Sequence, residues 1–422
     1  IFEHGETVMK KLLFIALFLS LGFSAFALTF DAGGGTINAY SSLRLFWQYQ
    51  NIDIDRADSN ARDYNRNSIP IGAQSNSRLG FTFAKDNYGA QVEFGLNLVE
   101  EHVGSANSSL RLAHFNYGFD GIGKLTVGLQ PSLTGTDTYF SQKLNPAITG
   151  GDDGASGIGG VSTERHAAIT FALKDNLASI QLTPTAKYTT AITAAGSAYS
   201  QTYDNNTNAN ELRQLIPMIS LGFDGSKALQ VPVKVGLTYA LFSGIGDDNS
   251  TPTDPKNDET YNINAFIATV VTNPQFGPFG ITVGGFYSMN GNVFGEIRGW
   301  NGGRGQNTAV GAITTFSRKK AGEIYDIIAF GVAAEGRYKI NDAVTAALGG
   351  GYQQFSFDKA QAAWEDASNF GIYANTTIKL GKVFSIIPEV DYLQLESVST
   401  GHNKKADKLN EIIVGAQLKL DI

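Results

Sequence analysis

The sequence predicts an all-β protein, a sixteen-stranded antiparallel β-barrel that crosses a membrane with its strands. Three observations carry that expectation. Beyond Thr29 apolar and polar residues alternate with period two rather than 3.6. The connections between the alternating stretches are short and long by strict turns, the pattern of a barrel with short turns at one end and long loops at the other. The composition fits both. Gly is 48 of 422 residues, about 11% against a usual ~7%; charged residues are 17% against ~25%; aromatics reach 11%.

The first element is not part of the barrel. Met9-Lys10-Lys11 precedes the apolar run Leu12 to Phe26, which closes on Ala25-Phe26-Ala27. A basic start, a short apolar run and an A-x-A site make a secretory signal peptide cleaved after Ala27. The run is too short for a transmembrane anchor, and small residues rather than Lys or Arg end it. Residues 1–8 read as upstream sequence, and residues 28–422 as a single outer-membrane barrel domain. Glu3, Glu6, Lys10 and Lys11 cancel, so the mature net charge stays at −7.

The barrel strands follow in order. The first, near 36–50, sets Ile37, Ala39, Leu43, Leu45, Trp47 and Tyr49 against Asn38, Ser42, Arg44, Gln48 and Gln50. The last, near 409–422, sets Ile412, Val414, Ala416, Leu418, Leu420 and Ile422 against Gly415, Gln417, Lys419 and Asp421. Between them the same alternation recurs near 75–85, 89–99, 109–119, 123–131, 164–174, 177–189 and 212–223. It continues near 230–243, 259–271, 279–290, 323–339, 343–357, 369–381 and 383–397. Short connections carry turn residues, as at Asp86-Asn87, Asp120-Gly121, Lys174-Asp175-Asn176, Asp224-Gly225, Asn273-Pro274, Asn341-Asp342 and Gly381-Lys382. Long ones fall near 51–74, 100–108, 132–163, 190–211, 244–258, 291–322, 358–368 and 398–408. Hydrocarbon offers no hydrogen-bond partner, so a spanning strand must pair on both edges, which only closure achieves. Aromatics are expected at the interfaces, and Tyr117, Phe119, Phe223, Phe276, Phe279, Tyr338 and Phe384 stand beside short turns.

Several chemistries are excluded or weak. With no Cys there are no disulfides, thiolate metal sites or cysteine nucleophiles. A net charge of −7 with dispersed basic residues is a poor match to nucleic acid. His4 lies upstream of the signal. His102 and His402 sit in loops, and His114 and His166 on strands, with no zinc-type spacing. A loop His with a loop Asp as a hydrolase is the weaker reading, and no enzyme activity or cofactor is expected. Gly33-Gly34-Gly35 and the Gly299–Gly305 stretch lack the Lys-Ser/Thr that a phosphate loop requires. The acidic stretch 247–259 lacks EF-hand spacing.

Further residues resemble a known family. Asn76-Ser77-Arg78-Leu79-Gly80-Phe81, a turn at Lys85-Asp86-Asn87-Tyr88-Gly89, and Ala90-Gln91-Val92-Glu93-Phe94 resemble a hairpin of the general Gram-negative trimeric porins. Arg111-Leu112-Ala113, the strand Gly123 to Gln130, and Glu164-Arg165-His166-Ala167-Ala168-Ile169 are similar to that family's strands around its third loop. Two positions depart from its pattern: Leu129 stands where an Arg is usual, and the chain ends on Ile422 rather than an aromatic. The resemblance implies a third loop folded into the lumen, acidic groups on it and basic groups on the facing wall. Asp137, Asp152, Asp153 and Glu164 supply the acids; Arg44, Arg78 and Arg165 supply the bases. Arg44 and Arg78 lie on lumenal parity. Arg165 shares the parity of Ala167, Ile169 and Phe171, so a bulge or a place above the membrane is needed to bring it in.

The function expected is an outer-membrane porin, a water-filled channel for passive diffusion of small hydrophilic solutes and ions. The resemblance adds a homotrimer, set in outer-membrane lipid and lipopolysaccharide. The mature charge and acidic third loop favour mild cation preference, while Arg44, Arg78 and Arg165 argue the other way. Two alternatives stand. One is a substrate-specific channel stacking solutes on lumenal Tyr40, Phe46, Phe242 and Phe266; the other is a non-conducting outer-membrane binding protein or adhesin.

Overall fold

The computed structural model describes residues 29–55, 64–69, 71–99, 107–136, 139–141, 144, 158–161, 163, 165–184, 191–193, 212–214, 216–246, 259–294, 297, 315–320, 323–324, 326–357, 366–396 and 408–421. The signal segment, Asp137, Asp152, Asp153, Glu164, His102, His402 and Ile422 lie outside them.

Sixteen strands close one antiparallel barrel. They are β1 Gly35–Asp55, β2 Ile71–Lys85, β3 Tyr88–Val99, β4 Asn107–Phe119, β5 Gly123–Pro131, β6 Arg165–Leu173, β7 Ala178–Thr183 and β8 Met218–Asp224. The second half is β9 Val233–Gly246, β10 Glu259–Thr272, β11 Phe279–Met289, β12 Ile327–Lys339, β13 Val344–Phe357, β14 Ala367–Leu380, β15 Phe384–Glu396 and β16 Lys408–Asp421. Each pairs with its neighbours in sequence, and β16 returns to β1 along a register from Ser42↔Asp421 to Asp55↔Lys408. The ring therefore has no open edge, as a strand in hydrocarbon requires.

Every expected strand is present, and the differences are at ends. The stretch 177–189 stops at Thr183, and 212–223 splits into Leu212–Gln214 and β8, with Pro217 between. Proline cannot donate to a ladder, which explains the break. β1 is longer than expected, and a short strand Thr29–Ala32 folds back on its start through Gly33 and Gly34 at φ 60° and 78°. The connection after Asp224 is a helical turn, Gly225–Ala228, that Asp224 caps by accepting from the Ser226 amide at 3.0 Å. The two-residue turn at Asp86-Asn87 places Asp86 at φ 49°, a left-handed conformation that Asp tolerates.

The alternation resolves into two faces. Outward positions form an apolar belt in which Leu348, Phe115 and Val332 are more than half exposed on the bare chain. A soluble monomer rarely leaves so continuous an apolar surface uncovered. Next to the short turns, Tyr88, Tyr117 and Phe119 pack in series at 4.9 Å, and Phe279 meets Tyr338 at 4.6 Å. No described helix is long and apolar enough to cross a membrane. Inward positions carry the charges and amides: Arg44, Gln48 and Gln50 on β1, Glu93 on β3, Glu335 on β12, Glu389 and Asp391 on β15.

Candidate functional site

One side of the lumen is an arginine wall. Residues 42–45 of β1 and 73–77 of β2 break register against each other, and Ser77 fills the irregularity. The Arg44 amide donates to Ser77 Oγ at 3.0 Å, and Arg44 Nε donates to Ser42 Oγ at 3.2 Å. Ser42 in turn donates to Asp421 of β16 at 2.6 Å, tying the barrel seam to this wall. Arg44 is only 1% exposed.

Arg78 lies beside it on β2 and shares Glu93 of β3 with Arg111 of β4. Arg111 Nε donates to Glu93 Oε1 at 2.9 Å, Arg78 Nε is 3.6 Å from Oε2, and the Tyr40 hydroxyl donates to Oε2 at 2.8 Å. Gln91 Nε2 donates to the Tyr40 oxygen at 2.7 Å. A second register break, at Glu93/Phe94 opposite β4, puts Arg111 inside; bulges re-aim side chains in this way. One carboxylate thus faces two guanidiniums, and the cluster is net basic.

The third loop, between β5 and β6, folds into the barrel. It leaves along β7–β9, where Gln181 donates to the Pro131 carbonyl at 3.0 Å and Thr134 meets Thr238 at 3.3 Å. Gly236 lets it approach, since a Cβ there would lie 2.7 Å from the Leu133 carbonyl oxygen. It then crosses to β12–β15. Glu335 accepts the Ser141 amide at 2.7 Å and also the Ser141 and Tyr373 hydroxyls. Arg337 Nε stands 3.2 Å from the other Glu335 oxygen, close but without hydrogen-bond alignment. Glu389 accepts the Leu144 amide, and Asn375 links Glu389 to the Ser141 carbonyl, both at 2.8 Å. The returning arm brings Gly159 against the Val332 carbonyl at φ 79°. Thr136 and Val161 close the loop on itself through bonds of 2.9 and 2.8 Å.

The half of the lumen towards the long loops is packed rather than open on the β8–β16 side. Met218, Ala240, Phe242, Ile263, Ile267 and Phe355 point inward and are covered by Val161 of the third loop and by Phe294 and Ile297, from the connection after β11. Asn290 starts that connection at φ 53°. Its Nδ2 donates to the Asn264 carbonyl at 2.9 Å, and its Oδ1 accepts the Ile327 amide at 2.9 Å. A second apolar cluster packs Leu144 and Ile158 of the third loop on Phe46, Leu393, Leu395 and Ile413.

These placements sort the residues expected from sequence. Arg44 and Arg78 stand together on the lumenal wall. Arg165 opens β6 opposite Pro131 with no bulge in that pair, on the parity of the outward-facing Ala167 and Ile169. His166 takes the lumenal position, 5% exposed. Leu129 faces outward, so the Arg that would stand there could not reach the lumen through β5 alternation. Phe46 and Phe242 are buried in the apolar clusters, and Phe266 faces outward beside Tyr287 at 5.7 Å; Tyr40 alone of the four joins the polar wall. The sequence motifs contain Arg111 and Glu93 without giving them a place in the constriction, and no motif marks Glu335, Glu389 or Arg337. A rule could have found them: a charge on a predicted spanning strand must face the lumen. Among the described residues no three His, Asp or Glu are grouped to hold a metal ion.

No protein-family model matches this chain, and no curated protein matches it. Solved structures do. The outer membrane channel DcaP of Acinetobacter baumannii aligns with a TM-score of 0.58 at 15% identity, over 93% of this chain and 99% of that one. An anion-selective porin from Comamonas acidovorans aligns at 0.52 and 11% identity, over 92% and 100%. At these identities the likeness is one of fold, and the fold is that of outer-membrane porins and channels.

Proposed function

We propose that the chain is an outer-membrane porin, a water-filled channel through which small hydrophilic solutes and ions diffuse without a catalytic step. The observation that carries this reading is the inward third loop, fastened by Glu335 and Glu389 inside a closed barrel whose outside is apolar. A sixteen-strand barrel is wide enough for an aqueous lumen, and a loop tied across it sets the narrowest section. Arg78, which reaches water, forms the basic side of that section, with Arg44 and Arg111 buried behind it. The acids expected from sequence for its other side, Asp152, Asp153 and Glu164, lie outside the described residues, and Arg165 opens β6 at the loop-side rim. Opposed charges across a narrow wet section make a transverse field that polar permeants tolerate and apolar ones do not.

In this reading the segment ending at Ala27 directs export, the barrel sits among outer-membrane lipid and lipopolysaccharide, and three copies assemble. A solute-stacking ladder is disfavoured, because Phe46 and Phe242 are packed away and Phe266 faces outward. The test is single-channel recording of purified protein in a planar bilayer. Stepwise insertion of ohmic conductance supports the porin. A correctly folded, heat-modifiable barrel that stays electrically silent overturns it and leaves a binding protein.

A further inference from the structure

We infer that the lumen prefers anions, despite the chain's net charge of −7. The inference rests on the channel reading above and names the class of solute it passes: small anions such as chloride and carboxylates.

The grounds are where the lumenal charges stand relative to water. Seven cations on inward positions of the half of the barrel towards the short turns reach solvent. They are Arg78 on β2 and Arg337 on β12, beside the buried Glu93 and Glu335, Lys339 on β12, 2.6 Å from Asp342 of the following turn, and Lys124 on β5, Lys234 on β9, Lys379 on β14 and Lys419 on β16. They are spread round the whole ring, so no permeant can cross that half far from one. Inward carboxylates are treated differently. Glu93, Glu335, Glu389, Asp391 and Glu411 are each at most 6% exposed. Described donors hold Glu93 (Arg111 and Tyr40, with Arg78 at 3.6 Å), Glu335 (Ser141 and Tyr373) and Glu389 (Leu144 and Asn375). Among the described inward carboxylates in that half, three reach water: Asp31, opposite Thr36 of β1, Asp224, 3.0 Å from Lys234, and Asp421, 2.9 Å from Lys419. Lys124 and Lys379 face the lumen outside the described ion pairs, Lys379 in the field of Asp342, whose closer partner is Lys339.

Counted by formal charge alone, the described wall is close to balance. Accessibility breaks the balance. A carboxylate held by pointed N–H and O–H donors has most of its field answered locally. A lysine in open water presents its charge to whatever passes, screened only over the Debye length of about 10 Å at 0.1 M salt. The described wall of this half therefore offers passing solutes more basic than acidic groups in water.

The experiment is the reversal potential of the wild-type channel in a tenfold KCl gradient, at low and at high total salt. The expected chloride-to-potassium permeability ratio is about threefold or more, on the low side of the ~10-fold or greater enrichment that a single-sign cleft produces. It should fall towards one at 1 M salt, where the Debye length is about 3 Å. The double variant Lys124→Gln with Lys379→Gln should lower the ratio while leaving the heat-modifiable barrel intact. A channel that conducts with a ratio at or below one overturns this inference and leaves the porin reading standing. A silent, folded barrel overturns the porin reading, and this inference with it. A double variant that conducts with an unchanged ratio overturns the assignment to these cations.

Discussion

Replacing Glu335 by Gln should loosen the third loop while leaving the barrel closed. In the wild type one Glu335 oxygen collects the Ser141 amide, the Ser141 hydroxyl and the Tyr373 hydroxyl, while the other faces Arg337 Nε at 3.2 Å. Hydrogen bonds to a charged acceptor contribute roughly 1.5–3 kcal/mol each, against about 0.5–1.5 kcal/mol for neutral partners. Neutralising the acceptor thus weakens three bonds by about 1 kcal/mol apiece. The new amide group adds a second cost. Turned towards Arg337 it sets donor against donor, and turned towards Ser141 it can accept nothing. Together the loss is about 3–5 kcal/mol, the range for breaking a buried charged contact by altering one partner. At 1.4 kcal/mol per tenfold, the ratio of docked to undocked loop falls by a factor on the order of 10² to several times 10³. The backbone ladder of β12 is untouched, so migration with and without heating should match the wild type. Single-channel recording should show greater current noise in the open level and brief sub-levels. A trace with wild-type noise and wild-type mean conductance refutes the reasoning that this carboxylate holds the loop.

Three other outcomes follow from the same packing. Phe294→Ala removes the ring that meets Phe242 at 6.2 Å, a truncation that costs about 3–5 kcal/mol in a packed core; protease should then cut the connection after β11 faster in intact barrels. Gly351→Ala drives a methyl into the Ile158 carbonyl oxygen and should alter conductance, whereas Gly336→Ala, with open space around it, should leave recordings unchanged. Leu129→Arg places a charge on the outward face, at a cost of up to ~2–4 kcal/mol near the bilayer midplane, and should lower the urea midpoint of the barrel in lipid. Gln130→Arg, one residue on and facing inward, should lower it much less and change the ion selectivity instead.

What was legible in the sequence, and what was not, follows from how local each cause is. Strand positions are set by a local rule, that one face must meet lipid and the other water, so the alternation from Leu43 to Tyr49 could be read directly. Arg44 and Arg78 followed from the same parity. The rule fails where an extra residue enters a strand. Arg111 and Leu112 are consecutive, yet the register break opposite Glu93 brings the Arg inside, and nothing in Leu110-Arg111-Leu112 announces it. It also fails where the inner face is apolar. On β10, Ile263, Ala265 and Ile267 point into the lumen while Asn262 and Asn264 point out, the reverse of the barrel-wide sense. That reversal is possible because loop residues Val161, Phe294 and Ile297 shield the inner face from water, while the Asn264 side chain finds the Tyr239 hydroxyl at 2.9 Å outside. The path of the third loop is a non-local fact of the same kind. Glu335 and Glu389 lie some two hundred residues from the loop they hold, and their separation of roles from Arg78 and Lys124 exists only once the barrel has closed. On the inferred anion preference, the sign of the lumen follows burial rather than composition. In the anion-preferring channel inferred above, Glu335 and Glu389 are taken up in fastening the loop while Lys124 and Lys379 stay in water.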